Sequence, residues 1–217
     1  MILSKTLDPV DFALLTPELE IVDRHFTKAR EQHPMRRWEY AMALRALGRW
    51  TDLHGHHAAN ILDVGGAGSP FRYMQLYDGH VSVIDPEEPP PNNCALEQFV
   101  TAGAELSDAV FCLSVLEHVP DVEQFLYLLS CLVAPGGLLF LTMDYCGGVC
   151  KADSWPPDNY HFHWMRRRIF NVYRWGWLRR LLHARDFDLL DGEMDGAYHG
   201  PQVYDYTFAS LAMVKRS

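Results

Sequence analysis

The stretch Asn60-Ile-Leu-Asp-Val-Gly-Gly-Ala-Gly-Ser-Pro70 runs apolar into an acid and then into a cluster of glycines. Residues 60–64 read as a buried strand, with Asp63 near its end. Gly65, Gly66 and Gly68 accept positive φ and carry no Cβ. The chain can therefore turn tightly there and leave bare amide groups against a ligand. A helix beginning near Pro70 would point its positive end at the same place. An ordinary strand-to-helix turn can look the same, and Asp85 separates the two readings. It ends a second apolar strand, Val81-Ser-Val-Ile-Asp85, and lies twenty residues beyond Gly65. That is the separation at which an acid accepts hydrogen bonds from both hydroxyls of an adenosine ribose.

Outward from this stretch, strands are expected near 60–64, 81–85, 109–114, 137–143, 186–190 and 204–214, and 96–101 is the best candidate for one more. Helices are expected near 17–28, 36–50, 70–77, 121–133 and 166–184. The alternation predicts an α/β fold: a Rossmann-like, mostly parallel seven-stranded sheet with helices on both faces, preceded by N-terminal helices. The last two strands have only a loop between them and are expected to pair antiparallel. After Asp85, Pro86-Glu-Glu-Pro-Pro-Pro-Asn-Asn93 cannot continue as a helix, because proline lacks the amide and clashes with the preceding turn. Sheet surface left bare by that crossover is expected to be covered by the N-terminal helices or by a second copy of the chain in a homodimer.

Two further motifs carry a resemblance. Asp108-Ala-Val-Phe-Cys-Leu-Ser-Val-Leu-Glu-His-Val-Pro-Asp121 is an apolar strand that ends in a polar turn. Ala-Pro-Gly-Gly137 leads into Leu-Leu-Phe-Leu-Thr-Met-Asp144. With the glycine stretch, these resemble, in order and spacing, the class I S-adenosylmethionine-dependent methyltransferases, from about Asn60 to the C-terminus. That family's Asp-x-Gly-x-Gly-x-Gly pattern maps onto Asp63, Gly65, Ala67 and Ser69, with Gly66 and Gly68 one residue out of phase. The resemblance implies S-adenosylmethionine as cofactor, held by Asp63, Gly65, Gly66, Ala67, Asp85, Pro86, Ser114 and Val115. Glu97 and Glu105 are the acids available for the adenine amino group. The implied reaction is in-line methyl transfer to a small molecule, with a sugar or a phosphorylated metabolite in view as acceptor. An inactive cofactor-binding subunit of the same fold is the alternative. Gly-x-Gly-x-x-Gly is absent, which disfavours a nicotinamide-dependent oxidoreductase.

With 217 residues and 48% hydrophobic content, the chain forms a single domain with ample core: residues 1–58 as a helical cap, 59–217 as the Rossmann-like part. A formal net charge of −9 argues against a nucleic-acid partner, since phosphate neutralisation requires a basic face. No apolar stretch is long enough to span a membrane, the first residues do not read as a signal peptide, and five cysteines suit a reducing cytoplasm. Arginines 166, 167, 168, 174, 179, 180 and 185 crowd an acid-free run. They read either as a solvated helix face or as a grip on a phosphate or carboxylate.

His118 follows the strand that ends at Ser114, and His161 and His163 sit in a long aromatic segment, 146–164, that is expected to form a lid. A neutral imidazole accepts a proton near neutral pH, so these three histidines are the candidate catalytic residues. Glu117, His118, Asp144, His161 and His163 could also meet around a divalent ion, and Cys146 and Cys150 have a spacing close to that of a zinc knuckle. No second cysteine pair accompanies them, and metal-free chemistry is the expectation.

Overall fold

The computed structural model describes residues 1–25, 34–66, 69–74, 76, 79–87, 93–145, 185–192 and 207–217. Helices α1 (Asp11–Leu14), α2 (Thr16–His25) and α3 (Pro34–His54) precede strand β1 (Asn60–Val64). There follow β2 (His80–Ile84), α4 (Leu96–Thr101), β3 (Ser107–Leu113), α5 (Val122–Leu132), β4 (Val133–Tyr145), β5 (Phe187–Leu189) and β6 (Thr207–Lys215). One sheet runs β2-β1-β3-β4-β6-β5. The first four strands are parallel, and β6 is antiparallel to both β4 and β5. The fold is thus mixed α/β and Rossmann-like with an antiparallel C-terminal strand.

Among the described residues the sheet has six strands. The segment 96–101, expected as a strand, is α4. Leu96 is buried and Phe99 and Val100 pack beside it, an i, i+3, i+4 stripe that suits a helix, whereas a strand would need alternation. Gln98 supports the helix start by accepting the N–H of Ala95 at 3.2 Å. Of the helix expected over 70–77, the described residues form a 3-10 turn, Pro70–Tyr73, capped by Ser69 Oγ, which accepts the N–H of Phe71 at 3.2 Å. In β4, Val133 pairs with Ser107 and Leu138 with Ala109, so residues 134–137 loop out of the ladder. Gly136 takes φ +75° in that loop. The helix expected over 166–184 lies outside the described residues.

Alternation along each strand sends side chains to two apolar layers. Ile61, Ala109, Phe111, Leu138 and Phe140 pack with Trp38, Ala43, Leu47 and Trp50 of α3. Leu62, Val110, Cys112, Leu139 and Leu141 pack with Leu126, Leu129 and Leu132 of α5 and with Leu96 of α4. Two forked ion pairs, Arg37 with Asp23 and Arg45 with Glu18, clamp α2 onto α3.

The chain's first residues also enter the sheet, which the sequence did not suggest. Lys5 exchanges backbone hydrogen bonds with Ser210 at 3.0 and 2.8 Å, and Leu7 donates to the carbonyl of Phe208 at 2.9 Å. They extend the same edge of β6 that β5 occupies nearer its other end. This entry is fastened by Asp11, 1% exposed, which accepts from Lys5 Nζ at 2.8 Å, Trp38 Nε1 at 3.1 Å and the N–H of Asp8 at 3.2 Å. Removing the acid leaves the Lys5 ammonium with Asp8 at 4.0 Å in place of its 2.8 Å partner, and takes the acceptor from a buried indole N–H. Asp11→Ala should therefore destabilise the fold by about 3–5 kcal/mol, read as a fall in the urea midpoint with unchanged slope.

Candidate active site

After β1 the chain crosses to β2 on one side, then returns to β3 on the other. At this reversal the loops leaving the carboxyl ends of β1 and β3 diverge and open a crevice, where ligands sit in open α/β sheets. Gly65 leaves β1 with φ +76° and donates to the carbonyl of Ile84 at 2.8 Å. A Cβ there would lie 2.3 Å from a Val115 methyl, so the turn after β3 can close on β1 only because residue 65 is glycine. At Gly66 a Cβ would lie 2.6 Å from the Asp63 carboxyl. The glycines thus let the turn lie directly on Asp63 and Val115.

Beside this turn is a cavity of about 390 Å³ whose wall includes Gly65, Pro86, Leu96, Val115, His118 and Val119. Asp85 stands next to Pro86 at the end of β2, 8% exposed, and accepts the N–H of Glu87 at 2.8 Å. Glu97 lines the same cavity.

On the α3 side of the crevice lies a group of buried acids. Ser114 takes φ +51°, unusual for a residue with a Cβ, and turns the chain sharply out of β3. Its hydroxyl donates to Glu39 Oε1 of α3, as does the hydroxyl of Thr142 on β4, and its N–H donates to Thr142 Oγ1 at 3.0 Å. Arg36, one helical turn before Glu39, places Nη1 3.5 Å from Glu39 Oε2 and 3.4 Å from the carbonyl of Leu113. Glu117 (2% exposed), Asp144 (3%) and Asp63 (2%) complete the group.

Burial governs the protonation of these acids, because removing water penalises the charged form. It raises Asp63 from 3.8 to about 7, against a hydrogen bond from Ser69. Glu117 rises from 4.5 to about 8 through burial and the nearby Glu39, opposed by a backbone hydrogen bond, by Arg36 and by the Ser114 side chain. Asp144 is pushed well up by burial and then by Glu117 and Glu39. The Tyr40 hydroxyl, in the same surroundings, is raised as well, chiefly by burial.

Of the residues expected at the site, Asp63 lies in β1, next to its carboxyl end, and Gly65, Gly66, Asp85, Pro86, Ser114, Val115 and His118 lie on the segments leaving β1, β2 and β3. Ala67, His161 and His163 lie outside the described residues, as do Cys146 and Cys150. Glu117 and His118 are neighbours in one 3-10 turn, Leu116–His118, yet serve different surroundings. His118 lines the cavity, while Glu117 is buried within reach of the charges on Glu39 and Arg36. Arg36, Glu39, Tyr40 and Thr142 were not anticipated. A signal existed for Glu39: it interrupts a helix otherwise crowded with Trp38, Ala41, Met42 and Ala43. Among the described residues no group of three or more histidines, cysteines and acids is placed to hold a metal ion.

The raised acids give the stability a direction with pH. A carboxyl whose folded pKa exceeds its unfolded value holds its proton more tightly when folded, so its effect on stability becomes less favourable as pH rises from about 4 to about 8. The melting temperature of the ligand-free protein should therefore fall across pH 6 to 9. Glu117→Gln, neutral throughout, should flatten that slope in a calorimetric pH series.

The geometry can be set beside known proteins. A family model described as a methyltransferase domain matches residues 19–191. The mitochondrial ubiquinone biosynthesis O-methyltransferase of Homo sapiens is 47% identical over 49 residues, covering 23% of this chain and 13% of that protein. Its Mus musculus counterpart is 36% identical over 67 residues, covering 28% of this chain and 18% of that protein. Among solved structures, the 1,6-didemethyltoxoflavin-N1-methyltransferase of Burkholderia thailandensis, with 1,6-didemethyltoxoflavin and S-adenosylhomocysteine bound, aligns with TM-score 0.58 at 17% identity. That alignment covers 97% of this chain and 92% of the other. The N-methyltransferase NodS of Bradyrhizobium japonicum WM9, in complex with S-adenosylhomocysteine, aligns with TM-score 0.58 at 16% identity over 95% of this chain and 98% of that one. At such identities the structures share the fold. The family match runs from α2 to just past β5, the greater part of the chain, which is therefore a member of the class I S-adenosylmethionine-dependent methyltransferase family.

Proposed function

We propose that the chain moves a methyl group from S-adenosylmethionine to a small-molecule acceptor. The observation that carries this reading is Asp63 Oδ2, buried and without a hydrogen-bond partner among the described residues, beside two glycines that leave backbone bare. An orphaned buried acceptor there fits a ligand that brings an N–H donor, as the amino group of the cofactor's methionine end does. When bound, S-adenosylmethionine supplies a methyl group on a sulfonium that an aligned nucleophile displaces. In this reading Asp85 takes the ribose hydroxyls, Pro86, Leu96 and Val119 the adenine ring, and the backbone of Gly65, Gly66, Ser114 and Val115 the methionine end. The protein's own contribution is alignment and the exclusion of water.

Two finer expectations divide here. Arg185, the one described member of the arginine run, donates to the carbonyl of Glu123 at 2.9 Å and stands 5.3 Å over the Tyr127 ring. It is thus engaged on the α5 side, and nothing described supports a phosphate grip. A sugar or other polar acceptor remains in keeping with the crevice. Cys94, Cys112 and Cys131 are free thiols, which suits the proposed reducing compartment. Among the described residues no helix is long and apolar enough to cross a membrane.

Calorimetry with S-adenosylmethionine and S-adenosylhomocysteine tests the proposal. Asp85→Ala should weaken binding by about 1.5–3 kcal/mol while the fold persists. Absence of binding by the unaltered protein would leave the inactive-subunit reading in its place.

His118 has a separate test. Its place in the cavity wall favours a role beside the cofactor, so His118→Ala should weaken cofactor binding by ~3–10-fold with turnover nearly kept. A loss in turnover of about 10²–10⁴-fold at unchanged affinity would instead make it the proton acceptor that its residue type suggests.

A further inference from the structure

Among the described residues, the acids on the α3 side outnumber the cations acting on them. Glu39 (0% exposed), Asp63, Glu117 and Asp144 meet two arginines, Arg36 on α3 and Arg72 in the 3-10 turn after β1. Glu39 Oε1 is satisfied by two hydroxyls, and its Oε2 has Arg36 at 3.5 Å. Glu117 Oε2 is buried with no hydrogen-bond partner among the described residues. A buried carboxylate oxygen left in this way is costly unless a proton or a bound donor satisfies it. Among the described residues, this side of the crevice is short of positive charge and of N–H donors.

Resting on the proposed methyl transfer, we propose that the acceptor is an amine, bound as its ammonium ion against Glu117 and Asp144. An ammonium is compact, carries three donors and supplies the missing charge. An alcohol brings one donor and no charge, whereas a phosphate or carboxylate would bring further acceptors to a group that already has too few donors and would oppose the ionisation of these acids. Glu117 faces these acids while its neighbour His118 lines the cofactor cavity, so the turn Leu116–His118 brings the two ligands' sites together.

An ammonium nitrogen has no lone pair and must give up a proton before it can attack. Its N–H bond breaks, the electron pair stays on nitrogen, and the proton passes to the Glu117 carboxylate, leaving a neutral amine beside a neutral acid. The acid then releases the proton to solvent. Without a ligand, burial pushes Glu117 up to about 8, so it first loses its own proton to solvent as the ammonium binds; its burial then still makes it a better proton acceptor than an exposed carboxylate.

The test uses the full chain saturated with S-adenosylhomocysteine and three matched pairs of probes: butylamine and butanol, benzylamine and benzyl alcohol, glucosamine and glucose. NMR titration at constant ionic strength should show at least one amine binding about 10-fold or more tightly than its alcohol. That preference should be lost in Glu117→Gln and in Asp144→Asn, whose folding is checked by cooperative melting. Equal binding of amine and alcohol in all three pairs, or a preference retained in both variants, would overturn the proposal. Calorimetry with S-adenosylhomocysteine separates the remaining outcomes. If the unaltered chain does not bind it, the methyltransfer reading fails first. If Glu117→Gln loses its affinity for S-adenosylhomocysteine by 10-fold or more, the acids serve the cofactor's own amino group, and the amine assignment is overturned.

Discussion

One carboxylate joins the parts of this molecule that matter to its site. Glu39, fully buried on α3, accepts the hydroxyls of Ser114 from the turn after β3 and of Thr142 from within β4. These contacts span 75 and 103 positions of the chain. Ser114 sits at positive φ, a conformation that costs a non-glycine residue about 1–3 kcal/mol unless its surroundings hold it. Two hydrogen bonds, from its own N–H to Thr142 and from its hydroxyl to Glu39, supply that hold. The N-terminal helices are thus a wall of the site as well as a cover for the sheet.

From that hold follows the shape of the crevice. A fixed Ser114 aims Val115 at the turn after β1, and Gly65 gives it room. The chain then divides two consecutive side chains between two environments, His118 to an apolar cavity and Glu117 to a set of acids. In the proposed reading, such a division has one short turn face a cofactor on one side and an acceptor on the other. It also carries a cost, because acids kept dry near one another hold their protons unless a cation arrives. Fold stability and ligand charge are therefore coupled through the same few residues.

The parallel strands were legible in the chain because each is an apolar run ended by a polar or glycine punctuation, and the alternation of elements implies that they run parallel. Asp63, Gly65, Asp85 and the Ser114–His118 turn were legible for a related reason: they lie at strand ends, where position in sequence nearly determines position in space. The segment 96–101 was the best candidate for a poorly marked further strand, yet its apolar residues have helical spacing, and it folds as α4. Glu39 and Arg36 could not be placed from the sequence. A helix presents its residues all round, and which side meets the sheet depends on packing between elements far apart in the chain.

What the sequence by itself determined is the Rossmann-like framework and the strand-end turns that border the crevice, since both rest on local rules: period, strand ends, and glycine where a Cβ would clash. The tertiary structure alone decided the α3 side. The pairing of residues 3–7 with β6, the meeting of Glu39 with Ser114 and Thr142, and the gathering of Glu117 and Asp144 around Arg36 join residues with no local relation. Their protonation depends on burial, which is a property of the folded chain and of no single segment.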